Sequence, residues 1–225
     1  MRDAAVTEAA REAELEHGRR LFARPVVFVR GVARLDQLPE IELPEIAFTG
    51  RSNVGKSSLL NALVNRRKLA RTSNTPGRTQ ELNFFRLADT VMLVDLPGYG
   101  YARAPRAKVE AWVRLLRAYL RGRPNLARTL VLIDARHGPK ASDREMMDLL
   151  AEAAVPYALV LTKCDLLPPA RLAARLAEMR ALARERIGAV PEVFATSART
   201  GAGMPELRAA LARVAAESPA GGVRP

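Results

Sequence analysis

The sequence predicts an α/β protein of three layers, in which a mostly parallel sheet with one antiparallel hairpin strand lies between helices on both faces. Short apolar or β-branched segments alternate along the chain with segments of helical periodicity, and this alternation is typical of parallel sheets. Several of the short segments are apolar throughout, as strands buried on both faces are. A glycine-rich stretch between one such strand and a helix places a candidate site at the edge of the sheet.

The pattern defines individual elements. The predicted strands cover 26–31, 45–50, 82–87, 91–96, 129–135, 157–163 and 190–197. The predicted helices cover 56–67, 106–122, 142–154, 168–186 and 204–216. Only three residues separate 82–87 from 91–96, and so short a connection permits an antiparallel hairpin but excludes a parallel crossover.

The chain of 225 residues is long enough for one well-buried domain, which we expect over residues 23–217. Residues 1–22 are rich in Ala, Glu and Arg, and we expect a loosely attached extension that is helical or disordered. The tail 218–225, "SPAGGVRP", is expected to be disordered.

The composition constrains partners and compartment. The net charge is +12, and 31 of the 36 basic residues are Arg. A polyanionic partner explains the high charge, and a genome composition that favours Arg over Lys explains it equally well. A single cysteine, Cys164, excludes an internal disulfide and a thiolate metal cluster. The N-terminus has no apolar core of a secretory signal, and no segment reaches about 18 uninterrupted apolar residues. We therefore expect a cytoplasmic protein that does not bind membranes.

The stretch "GRSNVGKSS" satisfies the phosphate-loop pattern G-x-x-x-x-G-K-[ST] between a strand and a helix. Its glycines let successive backbone N–H groups surround the β-phosphate at a helix N-terminus. Lys56 is expected to bridge β- and γ-phosphate oxygens, and Ser57 to bind Mg²⁺. The residues predicted to hold the phosphates are Gly50, Arg51, Ser52, Asn53, Val54, Gly55, Lys56, Ser57 and Ser58.

Two further segments complete the predicted phosphate and metal site. In "DLPGYG", the Asp95 carboxylate is expected to hold the metal through water and the Gly98 amide to contact the γ-phosphate. The stretch 72–80, "TSNTPGRTQ", is expected to order over the γ-phosphate, with Thr79 as the second hydroxyl on Mg²⁺ and Thr75 as the alternative. Gly77 and Arg78 belong to this predicted contact. Lys56, Thr79 and Gly98 are the candidate catalytic residues.

A guanine site is predicted at "LTKCD". The Asp165 carboxylate would accept hydrogen bonds from guanine N1–H and the 2-amino group, donors that adenine lacks at those positions. The Lys163 stem would lie along the base, and Thr162 completes the motif. In "TSA", Thr196, Ser197 and Ala198, a backbone N–H near the last two residues is expected to contact guanine O6.

In their order and spacing, "GRSNVGKSSLLNAL", "TPGRTQELNFF", "LVDLPGYGYA" and "LTKCD" resemble the EngB (YihA/YsxC) GTPases, a branch of the TrmE–Era–EngA group. The similarity covers residues 24–217. It implies a Ras-like P-loop G domain, weak intrinsic hydrolysis of GTP with Mg²⁺, and a role in assembling the large ribosomal subunit. Cys164 and the N-terminal extension depart from the family pattern away from phosphate and metal contacts.

Two residues qualify the expected mechanism. Many small GTPases orient the attacking water with a glutamine after the D-x-x-G glycine, but this chain has Tyr99 there, so we expect slow hydrolysis. Asn53 matches related GTPases that bind K⁺ beside the phosphates; the alternative is that Asn53 only braces the loop.

A basic helix face suggests how a ribosome is recognised. Arg114, Arg117 and Arg121 share one face of the helix 106–122. The neighbouring charges and candidate stacking aromatics are Arg103, Arg106, Lys108, Tyr99 and Tyr101. The face is either simply solvated or in contact with rRNA phosphates. We expect a monomer that binds a large-subunit precursor or rRNA without specificity for DNA.

Two other functions compete with this one. A guanine-nucleotide-sensing scaffold with negligible turnover, which responds to GTP, GDP or guanosine tetraphosphate, is compatible with Tyr99. A GTPase of tRNA modification or of a membrane transporter is disfavoured, because we expect neither extra domains nor spanning segments.

Overall fold

The computed structural model describes residues 2–66, 69, 81–99 and 106–218, with the side chains of 2–7 and 106–109 outside the description. Within this part, the helices are α1 Arg2–Phe22, α2 Lys56–Leu63, α3 Arg106–Gly122, α4 Ala141–Glu152, α5 Pro169–Glu185 and α6 Met204–Glu217. The strands are β1 Val26–Val32, β2 Glu45–Gly50, β3 Leu82–Leu87, β4 Val91–Asp95, β5 Leu126–Asp134, β6 Tyr157–Thr162 and β7 Ala189–Ala195.

The described strands form one sheet in the order β1-β3-β4-β2-β5-β6-β7. Strands β2, β4, β5, β6 and β7 are parallel, and β3 pairs antiparallel with both β4 and β1. The predicted α/β class, with one antiparallel hairpin strand, is therefore confirmed. Because parallel strands end at the same edge, the segments after β2, β4, β5 and β6 come together there.

Helices cover both faces of the sheet, and each face has its own apolar core. On one face α3, α4 and α5 contribute Trp112, Leu116, Tyr119, Met146, Met147, Leu150, Met179 and Leu182. On the other face α2 and α6 contribute Leu59, Leu60, Leu63, Leu207 and Leu211. Every residue of β2, β4 and β6 is buried, which agrees with the mostly apolar composition of these strands.

Residues 1–22, for which the sequence left a helix or disorder open, form α1 from Arg2, and the C-terminal end of this helix is packed rather than loosely attached. Leu21 and Phe22 are buried in the core beside α6. Gly18 approaches the backbone of Ala209 so closely that an added Cβ would lie 2.5 Å from its nitrogen. Burial of each large side chain contributes about 1.5–3 kcal/mol.

Some boundaries differ from the prediction. The helix expected over 56–67 ends at Leu63, because Asn65 adopts a left-handed backbone with φ of 51°. The strand expected to include Lys163 ends one residue earlier for the same reason, since Lys163 has φ of 57°. Ser218 follows α6, and the rest of the predicted tail lies outside the described residues. No described helix is both long and apolar enough to cross a membrane.

Candidate functional site

The phosphate-loop pattern lies where the sequence predicts it, between β2 and α2. Gly50 is the last residue of β2 and Lys56 the first residue of α2. Gly55 precedes the helix with φ of 105°, a conformation that side chains with a Cβ rarely adopt. Asn53 also has a positive φ, 61°, which asparagine tolerates better than most residues. The loop therefore directs the free N–H groups at the start of α2 into one concave turn.

The end of β4 lies beside this loop. Asp95 is in register with Phe48 of β2, and its carboxylate contacts the Lys56 ammonium in a nearly buried ion pair. Gly98 lies against the loop backbone, so close that an added Cβ would be 3.3 Å from the Ser52 nitrogen. The Asp95 carboxylate and the Lys56 ammonium, which both belong to the predicted phosphate and metal site, thus contact each other directly.

Tyr99 has its backbone at the site and its side chain elsewhere. Its N–H donates to the Gly50 carbonyl at 3.2 Å, and its carbonyl accepts from the Ser52 N–H at 3.1 Å. Its hydroxyl donates to the Asp143 carboxylate at 2.8 Å in the core under α4. Burial raises the pKa of Tyr99 well above its usual range, and the negative charge of Asp143 is the second cause. The interpretation of Tyr99 as a surface stacking residue is therefore wrong, because its side chain is only 7% exposed.

The end of β6 is joined to the phosphate loop by two hydrogen bonds. The Thr162 hydroxyl donates to the Val54 carbonyl at 2.7 Å, and the Lys163 ammonium donates to the Asn53 carbonyl at 2.7 Å. Lys163 also pairs with Asp134 at 2.9 Å. Burial favours a higher pKa for Asp134, but hydrogen bonds from Arg136 and Lys163 outweigh it and hold the pKa well below its usual range. The predicted base-reading segment and the phosphate loop are thus joined directly by hydrogen bonds.

Asp165 is oriented by two donors. The Ser197 hydroxyl donates to Oδ1 at 2.6 Å, and Arg199 Nε donates to Oδ2 at 2.7 Å. Both hydrogen bonds lower the pKa of Asp165, and the bond from Ser197 has the larger effect. The Ser197 N–H donates to the Ala202 carbonyl at 2.9 Å. The Ser197 amide is therefore already hydrogen-bonded, and the Ala198 amide remains the candidate for the predicted contact with guanine O6.

These segments border a single cleft of about 640 Å³. This volume lies within the range of pockets that hold small organic ligands. Its lining residues are Gly55, Ser58, Leu59, Asn61, Ala62, Asn65, Arg66, Thr162, Lys163, Asp165, Leu166, Thr196, Ala198 and Arg199. The structure thus brings one end of the phosphate loop and the predicted base-reading carboxylate into the same cleft.

Several predicted residues lie outside the described part of the chain. They are Thr75, Gly77, Arg78, Thr79, Tyr101 and Arg103, together with the side chains of Arg106 and Lys108. On the described part of α3, Arg114 and Arg117 are exposed and Arg121 lies 3.7 Å from Glu152.

Two residues of the site were not predicted from the sequence. Asp134 ends β5, as Asp95 ends β4, so an acidic residue at the carboxyl end of a buried strand was the available signal. Arg199 follows "TSA" directly, but its contact with Asp165 depends on how the loop after β7 folds back. Asp134 orients Lys163, and Arg199 orients Asp165.

Comparison with known families adds independent information. A family model described as "50S ribosome-binding GTPase" matches residues 45–163, and one described as "Elongation factor Tu GTP binding domain" matches residues 120–217. A probable GTP-binding protein EngB from Gluconobacter oxydans is 53% identical over 91% of this chain and 90% of its own length. A probable GTP-binding protein EngB from Caulobacter vibrioides is 55% identical over 90% of this chain and 89% of its own.

Solved structures share the fold at lower identity. A crystal structure of a probable GTP-binding protein engB superposes with a TM-score of 0.58 and 20% identity, over 77% of this chain and 99% of that one. Era in complex with MgGDPNP and 16S ribosomal RNA nucleotides superposes with a TM-score of 0.61 and 23% identity, over 78% of this chain and 57% of that one. At these identities the likeness concerns the fold.

Proposed function

This chain belongs to the EngB family of GTP-binding proteins and is a GTPase, and from this premise we propose that it is a switch in assembly of the large ribosomal subunit. In the proposed cycle, the GTP form binds a large-subunit precursor, and slow hydrolysis to GDP releases it. Nucleotide binding in this proposal rests on one observation, which is that Gly55 and Asp165 border the same cleft.

The base is read by Asp165 in this proposal. Ser197 and Arg199 each donate one hydrogen bond to the carboxylate, and a carboxylate has about four acceptor positions, so it retains capacity for the two guanine donors. Lys163 is fixed by Asp134 and by the Asn53 carbonyl, which holds its stem beside the base. Ala198 supplies the N–H for guanine O6.

The phosphates are held by the turn at the start of α2. Lys56 exchanges Asp95 for β- and γ-phosphate oxygens, because both anionic partners compete for one ammonium. Gly98 supplies an amide near the γ-phosphate, next to Ser52. Oxygen donors suit Mg²⁺, and the Ser57 hydroxyl, the Asp95 carboxylate and Thr79 are the residues proposed to hold it. When bound, Mg²⁺ supplies charge neutralisation at the phosphates.

Slow hydrolysis is proposed because the residue after Gly98 cannot orient a water molecule. The Tyr99 hydroxyl is committed to Asp143 in the core, away from the phosphate turn. The same observation favours the second candidate, a guanine-nucleotide-sensing scaffold with negligible turnover. Single-turnover GTP hydrolysis with and without large-subunit particles separates the two candidates, since only the switch accelerates on the particle.

The proposed large-subunit partner is tested by sedimentation with purified ribosomal subunits. We expect the protein to pellet with large-subunit particles in a non-hydrolysable GTP analogue and to remain in the supernatant in GDP. As a control, Asp165→Asn is expected to pellet with the corresponding xanthosine analogue and not with the guanosine analogue. Equal pelleting in both guanine nucleotides, or pelleting with small subunits, contradicts the proposal.

K⁺ is proposed as an additional cofactor beside Asn53. Because asparagine is also suited to the left-handed backbone at this position, the alternative of a bracing role needs a separate test. We expect turnover to fall several-fold when KCl is replaced by NaCl at equal ionic strength. Asn53→Gly keeps the backbone accessible and is expected to remove the difference between the two salts; a K⁺ response that persists in this variant contradicts the role of Asn53.

A further inference from the structure

A second, smaller cleft lies outside the cleft described above. It has a volume of about 200 Å³ and is bordered by the β5–α4 connection and by α5. Its lining residues are Arg136, Leu167, Arg171, Ala174, Arg175 and Glu178. Three guanidinium groups against one carboxylate give its wall a net charge of +2 (3 − 1). The volume is below the roughly 300–1,000 Å³ typical of pockets for drug-sized ligands, so the cleft suits one compact anionic group.

Two of the three arginines are held in place by neighbours. Arg136 donates through Nε and Nη2 to the two oxygens of Asp134, at 2.9 and 2.7 Å. Arg175 donates to Glu178 at 2.6 Å and lies over Gly138, where an added Cβ would come within 1.9 Å of Nη1. These guanidinium groups are therefore oriented before any ligand arrives, which lowers the entropy cost of binding.

Donor groups remain free in the cleft. Arg136 uses Nε and Nη2, so its Nη1 has no partner in the described part of the chain. Arg171, in the first turn of α5, is exposed and forms neither a hydrogen bond nor an ion pair with any described residue. Guanidinium groups match the geometry of phosphate oxygens and bind them with two parallel hydrogen bonds.

We propose that this cleft binds a backbone phosphate of RNA. RNA is the source of phosphate that we favour, because the net charge of +12 on the chain attracts a polyanion. The cleft is a preformed concavity, whereas Arg114 and Arg117 of α3 present their charge on an open helix surface. The inference rests on the proposed function for its partner, because it names a contact with ribosomal RNA. It adds a binding site on the face of α5, separate from the guanine cleft.

The test compares two double variants of α5 in protein saturated with a non-hydrolysable GTP analogue, so that the phosphate loop is occupied and the protein is in the form proposed to bind its partner. Arg171→Ala/Arg175→Ala removes two cleft arginines, and Arg180→Ala/Arg184→Ala removes two exposed arginines of the same helix outside the cleft. Fluorescence anisotropy with a short labelled RNA duplex is measured between about 50 and 200 mM KCl. We expect the cleft variant to bind about ten-fold more weakly and to lower the salt slope by about one, with little change in the control. Basal GTP hydrolysis is expected to remain unchanged in both.

The outcomes separate this inference from the proposed function. If the wild type binds RNA and the cleft variant behaves like the control variant, the cleft is not an RNA site while the ribosomal partner stands. If the wild type does not bind RNA, the ribosomal RNA partner is contradicted, and a titration with inorganic phosphate decides whether the cleft binds an anion. Shifts of the Arg136, Arg171 and Arg175 Nε–Hε NMR signals in the same analogue-loaded protein then support a phosphate site for a free anion, and unshifted signals overturn it.

Discussion

The Tyr99 hydroxyl donates to the Asp143 carboxylate at 2.8 Å in the core, although the two residues are 44 positions apart. Asp143 also accepts from the Lys140 N–H at 2.7 Å, and so caps the start of α4. One carboxylate therefore ties Tyr99, directly after Gly98, to the start of α4. The side chain of the residue that follows the D-x-x-G glycine is thus held in the core, away from the phosphate loop.

Tyr99→Phe is expected to lower the free energy of unfolding by about 1–3 kcal/mol, because Asp143 loses a buried donor. The matched control is Tyr157→Phe, since the Tyr157 hydroxyl is buried and has no hydrogen-bond partner in the described structure. We expect that variant to be neutral or stabilised. Urea unfolding of the three proteins measures the difference, and equal losses in both variants contradict a specific role of the Asp143 bond.

Asp165→Asn is expected to weaken GTP binding by about 10²–10⁴-fold, because two charge-assisted hydrogen bonds become poor ones. Xanthosine triphosphate is expected to bind better to this variant than GTP does, since the amide donates to the additional carbonyl. Asp89→Asn, at a highly exposed position on the hairpin, removes the same charge as a control. Competition titrations with fluorescent GDP measure the affinities. ATP that competes as well as GTP against the wild type contradicts the guanine assignment.

Gly18→Ala is expected to destabilise the protein by about 1–3 kcal/mol, because the added Cβ would lie 2.5 Å from the Ala209 nitrogen and force α1 away from α6. This is opposite in sign to helix propensity, which favours alanine over glycine by about 1 kcal/mol. Gly122→Ala is the control, since a Cβ there meets nothing within 4 Å. Urea unfolding that shows Gly18→Ala to be as stable as Gly122→Ala contradicts the packed arrangement of α1.

Alkylation of Cys164 tests a pH dependence. Burial raises the pKa of the Cys164 thiol to about 11, compared with about 8.5 in an unfolded chain. Because the raised pKa favours the neutral thiol in the folded protein, the resulting stabilisation is present below about pH 8.5 and is lost as the pH rises towards 11. We expect iodoacetamide at pH 8.5 to react about a hundred-fold more slowly with folded protein than with protein in urea. Similar rates in both states contradict the burial of this thiol.

The GTPase family of this chain was accessible from the sequence because its signals are local. The phosphate loop needs glycine and lysine within nine residues, and each buried strand is marked by its own apolar segment. The resemblance to the EngB family rested on such motifs in order, and the comparisons bear it out. The ligand roles of individual residues, including Thr79, stay predictions.

Other features depended on elements that are distant along the chain. The pairing of β1 with β3, the contact of Gly18 with Ala209 and the cleft between Arg136 and Arg171 arise only when sheet order and helix positions are known. Tyr99 illustrates the difference best, because its position after Gly98 was clear from the motif while the direction of its side chain was not.

The sequence by itself therefore determined which segments become strands, helices and phosphate turns, since backbone preference and hydrophobic periodicity act over a few neighbouring residues. Tertiary structure alone decided which side chains meet. A hydrogen bond such as that between Thr162 and Val54 joins residues 108 positions apart. Its existence depends on two parallel strands ending at the same edge of one sheet, and no local pattern encodes that distance.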